Sequence, residues 1–299
     1  MPTPRPDHRD VVRPRTTAEA IQRLVSRLTP RDRRIMRTVY RHRTLTTDQI
    51  AKLEFRTCAS AKKRLLTLYR LRALGRFRPW IPAGSARWHY ILDAPGAEIL
   101  AAEHGRTARE WGYRRDQVLT IAYRSSLAHT IGTNGFFVDL ESTARARHDA
   151  RLIWRTSAEC VAQFGDVVRP DAAGRWEHRD ERVSFFLEYD TGTEPLRRLG
   201  DKLDRYHELS RLTGDRGVVV FYLPSPARQD NLHRYLDQHT PPVPAATAVH
   251  AVHPAERVWT PIGSGRLCTL AGLGALTEPG VEQPFLPEWG DPPEEGAGG

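Results

Sequence analysis

The chain has 299 residues, of which 39% are hydrophobic, and this is enough for two domains with separate cores. Its net charge of +9 is unevenly distributed: residues 1–115 contain 26 Lys and Arg against 10 Asp and Glu, whereas the rest contains 19 against 26. A basic first part joined to an acidic second part favours nucleic acid over a membrane surface as the partner. An Arg-rich surface that is simply solvated is the alternative.

The cysteines, Cys58, Cys160 and Cys268, lie far apart and form no CxxC pair. This spacing argues against a disulfide framework or a zinc site and suits a reducing compartment. No apolar run reaches the ~18 residues of a membrane span, and the first residues lack the apolar stretch of a signal peptide. We therefore expect a cytoplasmic protein that has no membrane partner.

Composition divides the chain into five segments. Residues 1–16, rich in Pro and Arg, and residues 278–299, rich in Pro, Gly and Glu, are expected to be disordered tails. A first domain is predicted over 17–104 and a second over 117–277. The polar and basic residues 105–116 are expected to link the two domains.

Three helices are predicted in the first domain. The run Thr29-Pro30-Arg31-Asp32 begins the first, because it supplies a capping hydroxyl, a proline for the first turn and a carboxylate at the positive end of the helix dipole. A second, short helix begins at Thr46. The third is predicted over residues 59–74, with Gly75 ending it.

A hairpin follows the three helices. Residues 77–80 and 87–92 alternate in polarity around the turn signal of residues 82–85, and one more helix is predicted over 95–104. Three helices and a two-stranded hairpin predict a winged helix-turn-helix domain, in which the third helix enters the major groove of DNA.

The predicted contacts to double-stranded DNA lie on the third helix and on the hairpin. Leucines at 65, 68 and 71 are expected to anchor the helix, so that its basic face points outward. The predicted contact residues are Ser60, Lys62, Lys63 and Arg64 on the helix and Arg76, Arg78 and Arg87 on the hairpin. A solvated basic face, or a winged helix that binds protein, is the alternative.

The second domain is predicted to be an α/β fold. A long helix over 117–147 is followed by strands at 152–155, 167–171 and 183–190, a helix at 196–212, a strand at 217–223, a helix at 230–238 and a late strand near 249–252. The continuous apolar strand at 217–223 is typical of the middle of a mixed sheet that is covered on both faces. The fold class of the whole chain is therefore α+β.

Acidic side chains are placed at the ends of these strands. Asp171 ends the second predicted strand, and Glu188 and Asp190 end the third, where a period of two puts them on one side. Carboxylate oxygens are the ligands that hard divalent cations prefer. The pattern predicts that Asp171, Glu188 and Asp190 converge on one metal ion, Mg²⁺ or Mn²⁺.

Pro170-Asp171 and Glu188-Tyr189-Asp190, in this order of elements, resemble the motif of the PD-(D/E)XK nuclease superfamily. The resemblance implies a restriction-endonuclease-like domain with a catalytic metal centre. The third motif position is Asp190, whereas active nucleases usually have lysine there. Lys202 on the following helix is the candidate replacement, which makes Asp171, Glu188, Asp190 and Lys202 the candidate catalytic residues.

Residues from about 28 to 225 resemble the replication-relaxation family of actinobacterial plasmids and integrative elements. The resemblance is carried by Leu28-Thr29-Pro30-Arg31-Asp32, by Lys62-Lys63-Arg64-Leu65 and by Phe186-Leu187-Glu188-Tyr189-Asp190-Thr191-Gly192-Thr193-Glu194, with Lys202 and Tyr206 downstream. It implies a role in the replication or transfer of a plasmid or mobile element.

Two functions remain open. The first is a DNA-binding, metal-dependent nicking nuclease. The alternative is a non-catalytic winged-helix factor, either a repressor or an accessory protein of a relaxase, with a degenerate nuclease fold, and Asp190 in place of lysine favours it. An adaptor whose acidic domain binds a protein is a weaker idea. The expected partners are double-stranded DNA, a relaxase or replication protein and, because winged helices often dimerise, a second copy of the chain.

Overall fold

The computed structural model describes residues 16–79, 86–121, 126–214 and 216–277, and these form two compact units that divide between Asn134 and Gly135. The fold is α+β, as predicted: the first unit contains a three-stranded antiparallel sheet and the second a six-stranded mixed sheet. Within these ranges, no helix combines the length and apolarity needed to cross a membrane. Both predicted tails (apart from Thr16) and the predicted turn at 82–85 lie outside the described residues.

The first unit is mainly helical. Its elements are α1 (Ala18–Val25), α2 (Pro30–Arg41), β1 (Leu45–Thr46), α3 (Thr47–Glu54), α4 (Cys58–Arg70), β2 (Leu74–Phe77), β3 (His89–Leu92), α5 (Ala94–Ala102) and α6 (Arg115–Thr120). The helix starts predicted at Thr29 and Thr46 are confirmed, since each is a capping box. The backbone N–H of Thr29 donates to Asp32 at 2.7 Å, and that of Thr46 donates to Gln49 at 2.9 Å.

The end of the third predicted helix and the start of the hairpin were wrong by several residues. Helix α4 ends at Arg70, Arg72 adopts a left-handed φ of 65°, and Leu74 already begins β2. Gly75 therefore lies in β2 opposite Ile91, where an added Cβ would come within 3.0 Å of the Ile91 side chain. Strand β1, which pairs with β3, was not predicted because two residues are too few to show alternation.

The first unit has an apolar core. Its buried side chains include Ile35, Met36, Val39, Ile50, Leu53, Ala61, Leu65 and Leu68. Part of the predicted linker joins this unit: Tyr113 is buried, and its hydroxyl donates to the carbonyl of Leu92 at 3.1 Å.

The second unit is built on one sheet. Its elements are α7 (Leu127–Ala146, which begins in the first unit), β4 (Ala150–Thr156), α8 (Ser157–Phe164), β5 (Ala172–His178), β6 (Glu181–Tyr189), α9 (Leu196–Thr213), β7 (Val218–Leu223), α10 (Pro226–Gln238), β8 (Ala245–Val249), β9 (Thr260–Pro261) and a 3-10 segment (Ala271–Leu276). The strand order is β4-β5-β6-β7-β8-β9. Strands β6, β7 and β8 are parallel, and the remaining pairs are antiparallel.

The strand predicted at 167–171 was wrong. These residues are irregular, and β5 begins only after Asp171, with Ala172 opposite Leu187 of β6. The apolar run that suggested a strand has another cause: Val168 is buried beside Phe164 and Phe186, and so it fills the core from a loop. The long helix predicted over 117–147 is described as α6 and α7, with residues 122–125 outside the described ranges.

The sheet of the second unit is covered on both faces, as predicted. One face packs Phe185 and Leu187 of β6 against Phe136 and Phe137 of α7 and against the 3-10 segment. The other packs Phe186 of β6 against α8, α9 and α10. Because side chains alternate along a strand, Glu188 lies on the same face as Phe186, under α9.

Candidate functional site

The centre of the candidate site in the second unit is the carboxylate of Glu188, whose side chain is only 2% exposed. One of its oxygens, Oε2, accepts a hydrogen bond from the Nζ of Lys202 at 2.7 Å, and the other, Oε1, accepts one from the hydroxyl of Tyr206 at 2.5 Å. Lys202 also donates to Glu194 at 3.1 Å. Lys202 and Tyr206, which lie on adjacent turns of α9, thus give this nearly solvent-excluded carboxylate one charged and one neutral hydrogen-bond donor.

Burial governs the protonation of this cluster. Burial and, second, the charge of Asp171 raise the pKa of Glu188 to about 7, because Lys202 and Tyr206 offset these two effects only in part. Burial alone would lower the pKa of Lys202, but attraction to Glu188 and Asp171 raises it above the ordinary value. Burial and the Glu188 charge also raise the pKa of Tyr206. Lys202 is therefore a fixed cation at neutral pH, whereas Glu188 is the group that titrates.

Asp171 lies immediately before β5 and next to the end of β6. Its Oδ2 accepts the backbone N–H of Tyr189 at 2.8 Å, and its own N–H donates to the carbonyl of Leu187 at 3.2 Å. This pairing holds the carboxylate at the edge of β6. The charge of Asp171 contributes to the raised pKa of Glu188, so the two carboxylates are electrostatic neighbours.

Asp190 is held by a different partner. Its Oδ2 accepts from the Nε of Arg228 in α10 at 2.7 Å, and its Oδ1 accepts the N–H of Gly192 at 2.9 Å. The Asp190 side chain is 2% exposed, and the Arg228 side chain is 16% exposed. Asp190 thus shares the helix-covered face with Glu188 but forms a separate, nearly buried ion pair.

The three carboxylates suit a hard cation by their chemistry, but their arrangement does not. Lys202 and Tyr206 occupy both oxygens of Glu188, and Arg228 and a backbone N–H occupy both oxygens of Asp190. Among the residues that the structure describes, no three His, Cys, Asp or Glu side chains are grouped to hold a metal ion. Binding of Mg²⁺ or Mn²⁺ by Asp171, Glu188 and Asp190 stays a prediction.

A tyrosine–histidine pair, which the sequence analysis missed, lies at the ends of the parallel strands. The Nε2 of His250 lies 2.7 Å from the carbonyl of Tyr222, so Nε2 carries the proton and Nδ1 accepts from the Tyr189 hydroxyl at 3.1 Å. The Tyr189 and His250 rings stack with 4.2 Å between centroids. Burial lowers the pKa of His250, against the opposing charge of Asp190, so its ring is neutral at pH 7.

In the first unit, the middle of α4 presents two lysines to solvent. Ala61, Leu65 and Leu68 are buried, and Lys62 and Lys63 are exposed on the opposite side, as predicted. Ser60 is also exposed, although its hydroxyl already donates to the carbonyl of Thr57, the N-cap of this helix, at 2.8 Å.

Arg64 does not belong to this exposed face, contrary to the prediction. Its Nε donates to the carboxylate of Asp32 at 2.8 Å. Its Nη2 donates to the same carboxylate and to the carbonyl of Arg27. The Asp32 side chain is fully buried, and the hydrogen bonds from Arg64 and Thr29 outweigh the effect of burial and lower its pKa. Arg64 therefore ties α4 to the start of α2.

Two arginines of the hairpin, Arg76 and Arg78, are half-buried and stack on aromatic rings. The guanidinium carbon of Arg76 lies 3.8 Å from the centroid of Trp88 and 4.3 Å from that of Tyr69. That of Arg78 lies 4.0 Å from the same Trp88 centroid. Stacking of this kind fixes the orientation of the guanidinium planes.

Arg87 is the most open of the predicted hairpin contacts. Its side chain is 72% exposed, and its Nε lies 2.9 Å from a carboxylate oxygen of Asp48, which is 45% exposed. An ion pair this open contributes little to stability, so Arg87 can exchange Asp48 for another anion.

Part of the buried cluster can be read from sequence spacing, and part cannot. Lys202 and Tyr206 are four residues apart in a helix, so they share a face and can reach one acceptor. No spacing in the sequence indicates that Arg228 pairs with Asp190, because this contact depends on how α10 packs against the sheet. The same holds for His250 and Tyr189, which are 61 residues apart.

These features define an α+β protein that combines a basic helical unit with a mixed-sheet unit around a buried carboxylate–ammonium–phenol cluster. The sequence model of the replication-relaxation family matches residues 36–219, which is more than half of the chain, and the chain belongs to this family. Membership indicates a role in the replication of plasmids or mobile elements. No curated protein and no solved structure was found to match the chain.

Proposed function

We propose that the chain is a DNA-binding protein of plasmid or mobile-element replication or transfer, and that its second unit is a nuclease-like scaffold without cutting activity. The first unit acts as a winged helix-turn-helix in which α3 and α4 form the helix pair and β2 and β3 form the wing. The exposed Lys62 and Lys63 on a helix anchored by buried leucines carry this proposal. The excess of basic residues in the first 115 positions supports it.

The non-catalytic interpretation rests on the internal cations of the second unit. Lys202 and Arg228 neutralise Glu188 and Asp190 from within the chain. A carboxylate so paired contributes no net charge to attract a divalent ion. The partners that this interpretation requires are double-stranded DNA and a separate relaxase or replication protein that performs the cleavage. A second copy of the chain stays among the proposed partners.

The test is duplex binding over a series of salt concentrations. We expect Lys62→Ala with Lys63→Ala to weaken binding and to lower the slope of log K against log salt by about 1 for each phosphate that the variant no longer neutralises. The matched control is Arg106→Ala with Arg109→Ala, which removes the same charge from exposed positions after α5. Equal slopes in both variants would remove the argument for α4 as the recognition helix.

Metal-dependent DNA nicking is the second candidate. The observation that favours it is the 2.7 Å contact between Lys202 and Glu188, because it places a lysine beside the motif glutamate in spite of Asp190. The test is relaxation of supercoiled plasmid by the purified full chain with Mg²⁺ or Mn²⁺. Nicking that disappears in the isosteric Glu188→Gln variant, which still binds duplex, would establish the nuclease. Intact plasmid under both metals supports the non-catalytic function.

A further inference from the structure

An open cleft of about 450 Å³ lies on the first unit, between the start of α2, the end of α3 and the first turn of α4. Neither the Lys62 face of α4 nor the hairpin arginines contribute to it. The residues that line it are Arg31, Leu53, Glu54, Phe55, Arg56 and Ser60. Its volume is large enough for one sugar and its phosphate.

The potential in this cleft is set by two guanidinium groups. Arg31 and Arg56 are both exposed. The carboxylate in the lining, Glu54, has a side chain that is only 3% exposed, and its Oε2 lies 3.1 Å from Arg34. Because Arg34 compensates this charge, the accessible surface of the cleft is positive and suits an anion.

One wall of the cleft is apolar and flat. Leu53 is buried, and the ring of Phe55 is half-buried. The guanidinium carbon of Arg31 lies 5.3 Å from the centroid of Phe55, a distance at which the ring attracts and orients the cation. The cleft thus offers an oriented anion-binding group next to a surface for carbon atoms, which are the two kinds of contact that a deoxyribose phosphate makes.

We propose that this cleft binds the sugar-phosphate backbone of one DNA strand, with Arg31 and Arg56 on a phosphate and Phe55 against the deoxyribose. The proposal rests on the proposed DNA-binding function and adds a backbone contact to it. Ser60, which lines the cleft, is two residues from Lys62 on the same helix. Contact with the backbone here fixes the position of α4 along the DNA and carries no sequence preference.

The experiment compares the Arg31→Ala, Arg56→Ala double variant with wild type in duplex binding over a series of salt concentrations. We expect the slope of log K against log salt to fall by about 1 for each arginine. The affinity loss should be the same for unrelated duplex sequences. Replacing both arginines by lysine keeps the charge and should restore the slope. Hydroxyl-radical footprints should lose protection at one sugar position in Phe55→Leu.

Failure of this inference differs from failure of the proposed function. If wild type binds duplex and the cleft variant matches the Arg106→Ala, Arg109→Ala control, the cleft proposal is overturned and α4 binding stands. If wild type does not bind duplex, both fall. Thermal unfolding of the cleft variant should match wild type, because both arginines are exposed. If the variant is destabilised, the Phe55→Leu footprint decides, and a footprint that keeps every sugar position protected overturns the proposal.

Discussion

The Nζ of Lys202 in α9 lies 2.7 Å from the Oε2 of Glu188 in β6, and this contact joins a helix to the strand that it covers. The same helix brings the Tyr206 hydroxyl to the other oxygen of the carboxylate. A group that is almost excluded from water is stable in its charged form only with such partners. The cluster therefore ties the packing of α9 to the ionisation of Glu188.

The first prediction concerns pH. Burial raises the folded-state pKa of Glu188 from 4.5 to about 7, so the folded chain binds more protons than the unfolded chain between these values. Its contribution to stability is full below pH 4.5 and falls as the pH rises towards 7, by on the order of 3 kcal/mol. We expect urea unfolding of Glu188→Gln to lack this decline.

The comparison with Glu188→Gln is needed because other groups titrate in the same range. Burial lowers the pKa values of His89, His233 and His250, and these shifts add stability as the pH rises towards 6.5. Their contribution is common to both proteins and cancels in the difference. The raised pKa of Glu188 determines the pH range in which the two proteins differ. If the difference in unfolding free energy between wild type and Glu188→Gln does not change from about pH 5 to about pH 8, the raised pKa is contradicted.

The second prediction concerns Lys202→Met. Removing the ammonium leaves the ionised Glu188 buried without its cation, and at pH 9, about two units above its pKa, we expect a loss of up to about 3 kcal/mol in the free energy of unfolding. Adding Glu188→Gln to the same chain should recover most of this loss, because no unpaired charge is left. Arg205→Met, an exposed change on the same helix, is the control and should have little effect. A loss that the second substitution does not recover would show that the ion pair is not its cause.

The third prediction separates folding from DNA contact on α4. Arg64→Ala leaves the fully buried carboxylate of Asp32 without its cation, and we expect it to destabilise the first unit by about 3 kcal/mol. Lys63→Ala, one residue away and exposed, should change stability by less than about 0.5 kcal/mol. Thermal unfolding of the two variants makes the comparison. Equal stability would mean that Arg64 is not the anchor between α4 and α2.

The fourth prediction concerns packing between β5 and β6. An added Cβ at Gly174 would lie 2.5 Å from the ring of Phe185, so Gly174→Ala should cost about 1 to 3 kcal/mol. Phe185→Leu removes the ring that the added Cβ meets, so Gly174→Ala should cost less in a Phe185→Leu background than in wild type. At Gly265 no atom lies within 4 Å of the added Cβ, and Gly265→Ala is the control. Denaturant unfolding of the two single variants, the double variant and the control checks the prediction, and a neutral Gly174→Ala would contradict the close contact.

Local sequence determined where several helices begin and which face of β6 carries the acids. The capping boxes at Thr29 and Thr46 are formed by residues three positions apart, so no distant contact is needed to predict them. The two-residue period of a strand is equally local, and it put Glu188 and Asp190 on the face that α9 and α10 cover. The overall composition and the pattern of apolar residues were enough to predict the α+β class and the mixed sheet.

Tertiary structure alone decided which partner each of these groups has. Arg64 pairs with Asp32, 32 residues away, and Arg228 pairs with Asp190, 38 residues away. The partners in each pair lie on different elements, so the periodicity of a single helix or strand does not predict either pair. Val168 looked like part of a strand because burial, whatever the backbone conformation, selects apolar residues. Periodicity reports the direction of a side chain relative to its own backbone. The group that it meets there depends on packing between elements, which sums many weak contacts over the whole chain.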